Sequence, residues 1–208
     1  MTAQTVIHTL RHAQSTYGAE HRYAGSVDVP LSEQGERDCA MAVRAVAALR
    51  VDAVVTSTMH RAIETARLLG YDPSTCVQSS RCEERRYGIL EGRTWQEVRG
   101  LVPPVMFIEV GGELHSVNPA GGEPLEDVWE RAKEFRRDVL DRYVGRSVLV
   151  VSHGVFLQML HGVLRGSSCI ESLAKYPSSL ELSTFRLADG MLLAESEAML
   201  LGSAGEGF

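Results

Sequence analysis

Apolar positions along this chain fall into two alternating rhythms. Short runs of β-formers, Thr5-Val6-Ile7-His8-Thr9-Leu10, Val51 to Ser57 and Ser147-Val148-Leu149-Val150-Val151, read as buried strands. Between them apolar residues recur at helical spacing. Ser32 can cap a helix that carries Cys39, Ala42, Val43, Val46 and Leu49 on one side. Met59 to Leu69 gives a second helix, with Ile63, Ala66 and Leu69 on one side and Gly70 ending it. A weaker extended piece surrounds Cys76-Val77, and Thr94-Trp95-Gln96-Glu97 has the capping-box form, which predicts a short helix. Leu125, Val128, Trp129, Ala132, Phe135, Val139 and Tyr143 mark a long amphipathic helix, and Val155 to Leu164 reads as a buried one. Ser179 to Arg186 then alternates, Asp189-Gly190 supplies a turn, and Met191 to Ala194 starts a return strand.

Strands alternating with helices predict a three-layer α/β sandwich, with a largely parallel central sheet and an antiparallel hairpin at one edge. No internal repeat or linker divides the 208 residues, so one domain is expected over 1–201, with a flexible tail at 202–208. Two stretches show no sustained period. Ala13 to Pro30 is rich in Gly and polar residues and is expected to be a loop. Residues 100–122 are punctuated by Pro103-Pro104, Gly111-Gly112 and Asn118-Pro119-Ala120-Gly121-Gly122. A loop that long in a compact domain is usually functional, so a lid or substrate loop is expected there.

The formal net charge of −6 argues against nucleic acid as a partner, although a local arginine cluster can still hold a small anion. Cys39, Cys76, Cys82 and Cys169 show no CxxC spacing and read as free thiols of a reducing compartment. No apolar run approaches the ~20 residues of a membrane span. The first strand starts within five residues of Met1 and leaves no room for a signal peptide, so the cytoplasm is the expected location.

Candidate chemistry gathers at strand ends. Leu10-Arg11-His12-Ala13 and Val151-Ser152-His153-Gly154 each close a strand, where an open α/β sheet builds its binding crevice. Two histidines there, with Arg11 beside the first, point to an oxyanion, phosphate above all, meeting an imidazole nucleophile. Three more segments stand out: Thr56 to Ala62, which puts Arg61 just past the second strand; the charged run Glu83 to Gly92; and Asn118 to Glu123 ahead of the long helix.

Taken in order from Thr5 to Leu164, these segments resemble the histidine phosphatase superfamily, which includes cofactor-dependent phosphoglycerate mutases and many small phosphatases. The resemblance implies a single catalytic domain with no cofactor and no metal. It would hydrolyse a small phosphorylated metabolite through a phosphohistidine. It makes His12 the nucleophile, sets Arg11, Arg61 and His153 around the phosphate, and gives the proton donor's role to Glu84. Ser15 and Gly154 fall at substrate-binding positions. Arg85 reads equally as a substrate clamp or a surface arginine. Glu83, the neighbour of Glu84, reads as part of a solvated charge run, and His8, His21, His60, His115 and His161 as core-edge or surface positions. Two residues depart from the family pattern: Ala13 stands for the usual Gly, and Gly18 for an Asn that donates to phosphate in many members. The alternative is a phosphoglycerate-mutase-type phosphotransferase, which Glu84 to Gly92 resembles, but the short stretch from Glu84 to His153 suits the phosphatases. The substrate is not legible, and a homodimer stands as a candidate assembly.

Overall fold

A computed structural model of the chain describes residues 3–117 and 119–200; the tail expected at 202–208 lies outside the described residues. The central sheet has six strands: β1 (Gln4–Arg11), β2 (Ala53–Thr56), β3 (Val77–Gln78), β6 (Ser147–Ser152), β7 (Glu181–Ala188) and β8 (Met191–Met199), in the order β3-β2-β6-β1-β7-β8. The pairs β3/β2, β2/β6 and β6/β1 are parallel, and β7 and β8 close one edge as an antiparallel hairpin. Between β3 and β6 the chain makes a separate two-stranded sheet, β4 (Phe107–Val110) with β5 (Glu113–Ser116).

Alternation along the central strands sorts the core into two layers. Leu10, Leu149 and Val151 face α2 (Glu33–Ala47) and α3 (His60–Leu68), where Cys39, Ala42, Val46, Ala62 and Ala66 meet them. On the other face, Ile7, Val148, Val150 and Phe185 pack against α5 (Leu125–Arg142) and α6 (Gly154–Arg165) through Val128, Phe135, Val139, Phe156 and Leu160. Each such side chain, fully removed from water, contributes roughly 1.5–3 kcal/mol. With both faces covered, β1, β2 and β6 read as near-continuous apolar runs. Ser32 accepts the Gly35 N–H at the head of α2, a cap that contributes about 1 kcal/mol. Thr94 and Glu97 close the expected capping box on α4 (Trp95–Arg99).

Two local expectations are corrected. The segment 100–122 is not an irregular loop throughout, because β4 and β5 pair across Gly111-Gly112 with Val110 opposite Glu113. Both glycines have positive φ, +64° and +86°, which a two-residue hairpin turn demands and a Cβ would strain. The hairpin hid from periodicity because its strands are four residues each and only half-buried Ile108 and Val110 pack on the core, while Leu114 is exposed. Within Ala13 to Pro30, one turn of helix, α1 (Thr16–Ala19), forms under the Ser15 cap. The return strand β8 runs on to Met199, paired with Glu181, since β7 offers it a continuous edge. A short helix, α7 (Cys169–Ser172), precedes β7. All four cysteines are free, and no helix among the described residues is long and apolar enough to cross a membrane.

Candidate active site

Sheet register puts the two motif histidines side by side. Arg11 and Ser152 are the last paired residues of β1 and β6, so His12 and His153 leave neighbouring parallel strands at the same height. Their rings meet edge to face with centroids 5.0 Å apart. Arg61 arrives from the next strand, as the second residue of α3 after β2. Glu84 follows β3 and a one-turn 3₁₀ segment, Ser80–Cys82. All four lie at the carboxyl edge of the sheet, and His12, Arg61 and Glu84 line a cleft with a cavity volume of about 150 Å³.

Hydrogen bonds assign opposite tautomers to the two rings. Nδ1 of His12 is 2.7 Å from the carbonyl oxygen of Ala13, which can only accept, so Nδ1 carries the proton and Nε2 presents a lone pair. Nδ1 of His153 instead accepts from Nε of Arg61 at 3.2 Å. Its proton therefore sits on Nε2, which is buried and has no partner. Burial, then the Arg61 and Arg11 charges, hold His12 well below the ordinary histidine range, against the pull of the Ala13 carbonyl. Burial and the charges of Arg61 and Arg11 do the same for His153. Both rings stay neutral at pH 7, one as acceptor and one as donor.

Arg61 is 1% exposed and spends its remaining nitrogens on backbone: Nη1 donates to Val27 and Nη2 to Gly25, each at 2.9 Å. Gly25 has φ +54°, and a Cβ there would collide with Glu91, so the loop that receives Arg61 needs a glycine at this point. Burial works against the Arg61 charge, and Glu84 and Asp28 offset it. Thr65 ties the motifs together, donating to the Arg61 carbonyl at 2.7 Å and accepting from the Ala13 N–H at 3.1 Å. Arg11 donates from Nη1 to the Pro177 carbonyl at 2.9 Å and lies 4.7 Å above the Tyr176 ring, while its Nε has no partner.

Glu84 is seated on the N-terminus of α6. Oε1 accepts from Arg85 N and Phe156 N at 2.9 and 3.2 Å, and Oε2 from Val155 N at 3.3 Å. Arg131 of α5 braces the same loop, donating to the carbonyls of Arg81 and Glu83 and pairing with Glu123 at 3.0 Å. Ser152 adds a bond to the Cys82 carbonyl at 2.6 Å. Glu83 turns to Thr58 instead and does not line the cleft.

The remaining candidates differ in placement. Ser15 lines the cleft, accepts the Gly18 N–H at 3.1 Å, and keeps its own hydroxyl proton to donate. Arg85 reaches the cleft wall, but Nε is bonded to the Glu123 carbonyl at 2.7 Å and Nη1 to the Ser116 carbonyl at 2.9 Å. It is no surface arginine, being 1% exposed. Gly154 does not line the cleft; it lies under Tyr176, whose hydroxyl a Cβ would strike. Two histidines expected at core-edge or surface positions, His21 and His115, line the cleft, whereas His161 is buried and bonded to Thr9 at 2.7 Å. Sequence reasoning missed Tyr23, Tyr87, Trp95 and Tyr176, which also line the cleft, the last of them beneath Arg11. The only trace they leave in the sequence is that each adjoins a Gly- or Pro-marked loop.

Residues 7–183 match the family model described as histidine phosphatase superfamily (branch 1). Phosphoserine phosphatase 1 of Hydrogenobacter thermophilus is 29% identical over 158 residues, spanning 76% of this chain and 74% of that protein. The solved structure of Bacillus stearothermophilus YhfR superposes with a TM-score of 0.78 at 27% identity, over 91% of this chain and 94% of the other. The alpha-ribazole phosphatase from Shigella flexneri shares the fold, with a TM-score of 0.79 at 20% identity over 96% and 100% of the two chains.

Proposed function

Because this chain belongs to the histidine phosphatase superfamily, we propose that it is a metal-independent phosphomonoesterase that works through a phosphohistidine at His12. The observation that carries the reading is the pair of opposed tautomers: a neutral imidazole with its Nε2 lone pair free stands against a second imidazole with an unpartnered N–H.

The steps follow from those atoms. His12 Nε2 attacks phosphorus in line, forming a P–N bond as the P–O bond to the alcohol breaks. Arg11, Arg61, His153 and the Ser15 hydroxyl surround the position of the phosphoryl oxygens and offset the charge that would repel the nucleophile. Glu84 gives its proton to the leaving alkoxide and takes one back from the water that then attacks phosphorus. The P–N bond breaks, inorganic phosphate leaves, and His12 regains its lone pair. The charge a metal would supply comes here from guanidinium groups. The relatives' names span phosphoserine and α-ribazole phosphatases, so no one substrate name transfers to this chain. The free thiols support work in a reducing compartment, the cytoplasm.

Turnover of p-nitrophenyl phosphate in the presence of chelator is expected for the wild type, with acid-labile, base-stable phosphate trapped on the protein. His12→Ala should lose both while keeping its circular dichroism spectrum. Near-wild-type turnover by that variant would sink the mechanism. With 3-phosphoglycerate and 2,3-bisphosphoglycerate, phosphate release should outrun isomerisation, and the reverse order would establish the phosphotransferase instead.

A further inference from the structure

The outer half of the cleft is not used by the phosphoryl chemistry, and it has a distinct composition. Tyr23 meets Tyr87 edge-on at 5.0 Å and Trp95 at 5.5 Å, and Trp95 continues the stack to Phe107 of β4 at 5.4 Å. These rings are held in place. The Tyr87 N–H is bonded to Glu91 at 2.9 Å, and Arg85 lies 5.5 Å from its ring centre. The Tyr23 hydroxyl is buried in this wall without a hydrogen-bond partner.

Charge is as informative as shape. Of the four arginines along the cleft, Arg11 and Arg61 belong to the phosphate end. Arg22 is engaged with Glu20, Glu97 and the Gly92 carbonyl. Arg85 is bonded to Glu123 and Ser116, and its one unpartnered nitrogen, Nη2, is shut away from solvent. His115 stays neutral, because burial and the Arg85 charge both lower its proton affinity. Glu113 adds negative charge to the lining. A carboxylate on the alcohol part of a substrate would therefore meet aromatic faces and the Glu113 carboxylate, with no accessible disengaged arginine among the described lining residues.

We propose that this wall is the leaving-group subsite, and that it selects phosphomonoesters of uncharged alcohols presenting an apolar ring face and turns away alcohols that carry a carboxylate. Stacking on Trp95, Tyr23 and Tyr87 supplies the affinity; an unpaired, desolvated carboxylate supplies the rejection. The assignment rests on the phosphomonoesterase reading, and its test is built to fail separately from that reading.

Four primary alkyl esters hold the bond-breaking step nearly constant: benzyl phosphate, glucose 6-phosphate, glycerol 3-phosphate and 3-phosphoglycerate. The last two share a three-carbon skeleton and differ in hydroxymethyl against carboxylate. At least one ring ester should have a KM about fivefold or more below that of glycerol 3-phosphate, a gain on the scale of one aromatic contact. Which ring ester leads distinguishes an aryl from a sugar substrate. The KM for 3-phosphoglycerate should be about tenfold or more above that of glycerol 3-phosphate, as like charge and lost hydration require. Trp95→Ala should raise the KM for the preferred ring ester about fivefold more than the KM for glycerol 3-phosphate, and Trp95→Phe should restore it. Calorimetric binding of the same four esters to His12→Ala gives the order without turnover. Smaller differences, or 3-phosphoglycerate binding as well as glycerol 3-phosphate, overturn the subsite. If p-nitrophenyl phosphate is still hydrolysed through phosphohistidine, that result leaves the phosphatase reading standing. If nothing is hydrolysed, the phosphatase reading fails and the binding order alone decides the subsite.

Discussion

The two halves of the cleft are built on different principles. At the phosphate end, His12, His153 and Arg61 come from the ends of three adjacent parallel strands, and the bonds of Arg61 to His153, Val27 and Gly25 leave it no second conformation. At the outer end, Tyr23, Tyr87 and Trp95 come from separate segments outside the central sheet, linked by ring contacts that run on to Phe107 of the small hairpin. Chemistry that loses rate with an ångström of misplacement sits on the sheet. Selection among alcohols, which needs only a surface of the right character, sits on loops that can change without disturbing the sheet.

Glu84 stands where the halves join, and the largest effect is expected there. Glu84→Gln should lower kcat roughly 10²–10⁴-fold for an alkyl ester such as benzyl phosphate, the usual scale of general acid–base catalysis. The loss should be much smaller with p-nitrophenyl phosphate, whose leaving group hardly needs a proton. An equal loss for both esters would show that Glu84 does not donate the proton in the rate-limiting step and would shift attention to Glu83.

Rigidity at the phosphate end can be tested apart from charge. Arg61→Lys keeps one positive charge but offers its donors from a single nitrogen, in place of the three separate nitrogens that now hold His153, Val27 and Gly25. The His153 tautomer would no longer be fixed, and kcat/KM should fall roughly 10²–10³-fold, as for loss of one preorganised donor. Thermal unfolding of the variant should be followed in parallel, to separate loss of the site from loss of the fold. Retention of more than about a tenth of wild-type kcat/KM would mean that charge suffices, and the contrast between the halves would weaken.

The smallest effect is expected at Gly18, where the family resemblance implies an Asn that donates to phosphate in many members. Gly18 lies in α1, its φ is not left-handed, and an added Cβ would meet Ser15 Oγ at 3.4 Å and Gln14 Cγ at 3.7 Å, ordinary contacts. Gly18→Asn should then tighten vanadate inhibition by about tenfold and a hundredfold at most, because a hydrogen bond to a charged group contributes roughly 1.5–3 kcal/mol. Its effect should fall on KM more than on kcat, since the new donor serves ground and transition states alike. Unchanged inhibition in a folded variant would mean that the Ser15 hydroxyl or a backbone N–H already fills that position.

The α/β class, the parallel strands and the positions of His12, Arg61 and His153 were legible in the sequence. Strand ends announce themselves: a run of β-formers stops, and the next polar residue faces the crevice. Glu84 was separable from Glu83 only by resemblance, since both belong to one charged run. The structure distinguishes them because α6 offers its first free N–H groups to one carboxylate while Thr58 binds the other. The hairpin at Gly111-Gly112 was hidden because only Ile108 and Val110 turn to the core, while Glu113 to Ser116 line the cleft, so the alternation is too short to stand out.

What the chain by itself determined is therefore the set of strands and helices and the side chains at their ends, because burial on both faces of a sheet leaves a periodic trace. The tertiary structure alone decided which ring nitrogen of each histidine holds a proton, that Arg85 is bonded to the backbone of Glu123 and Ser116, and that four aromatic residues far apart in sequence line one cleft. Those facts depend on single atoms brought together across long loops. A pattern of residue types carries the hydrophobic effect, which is additive and non-directional, but not hydrogen bonds and ring contacts, which are directional and exist only once the chain has closed.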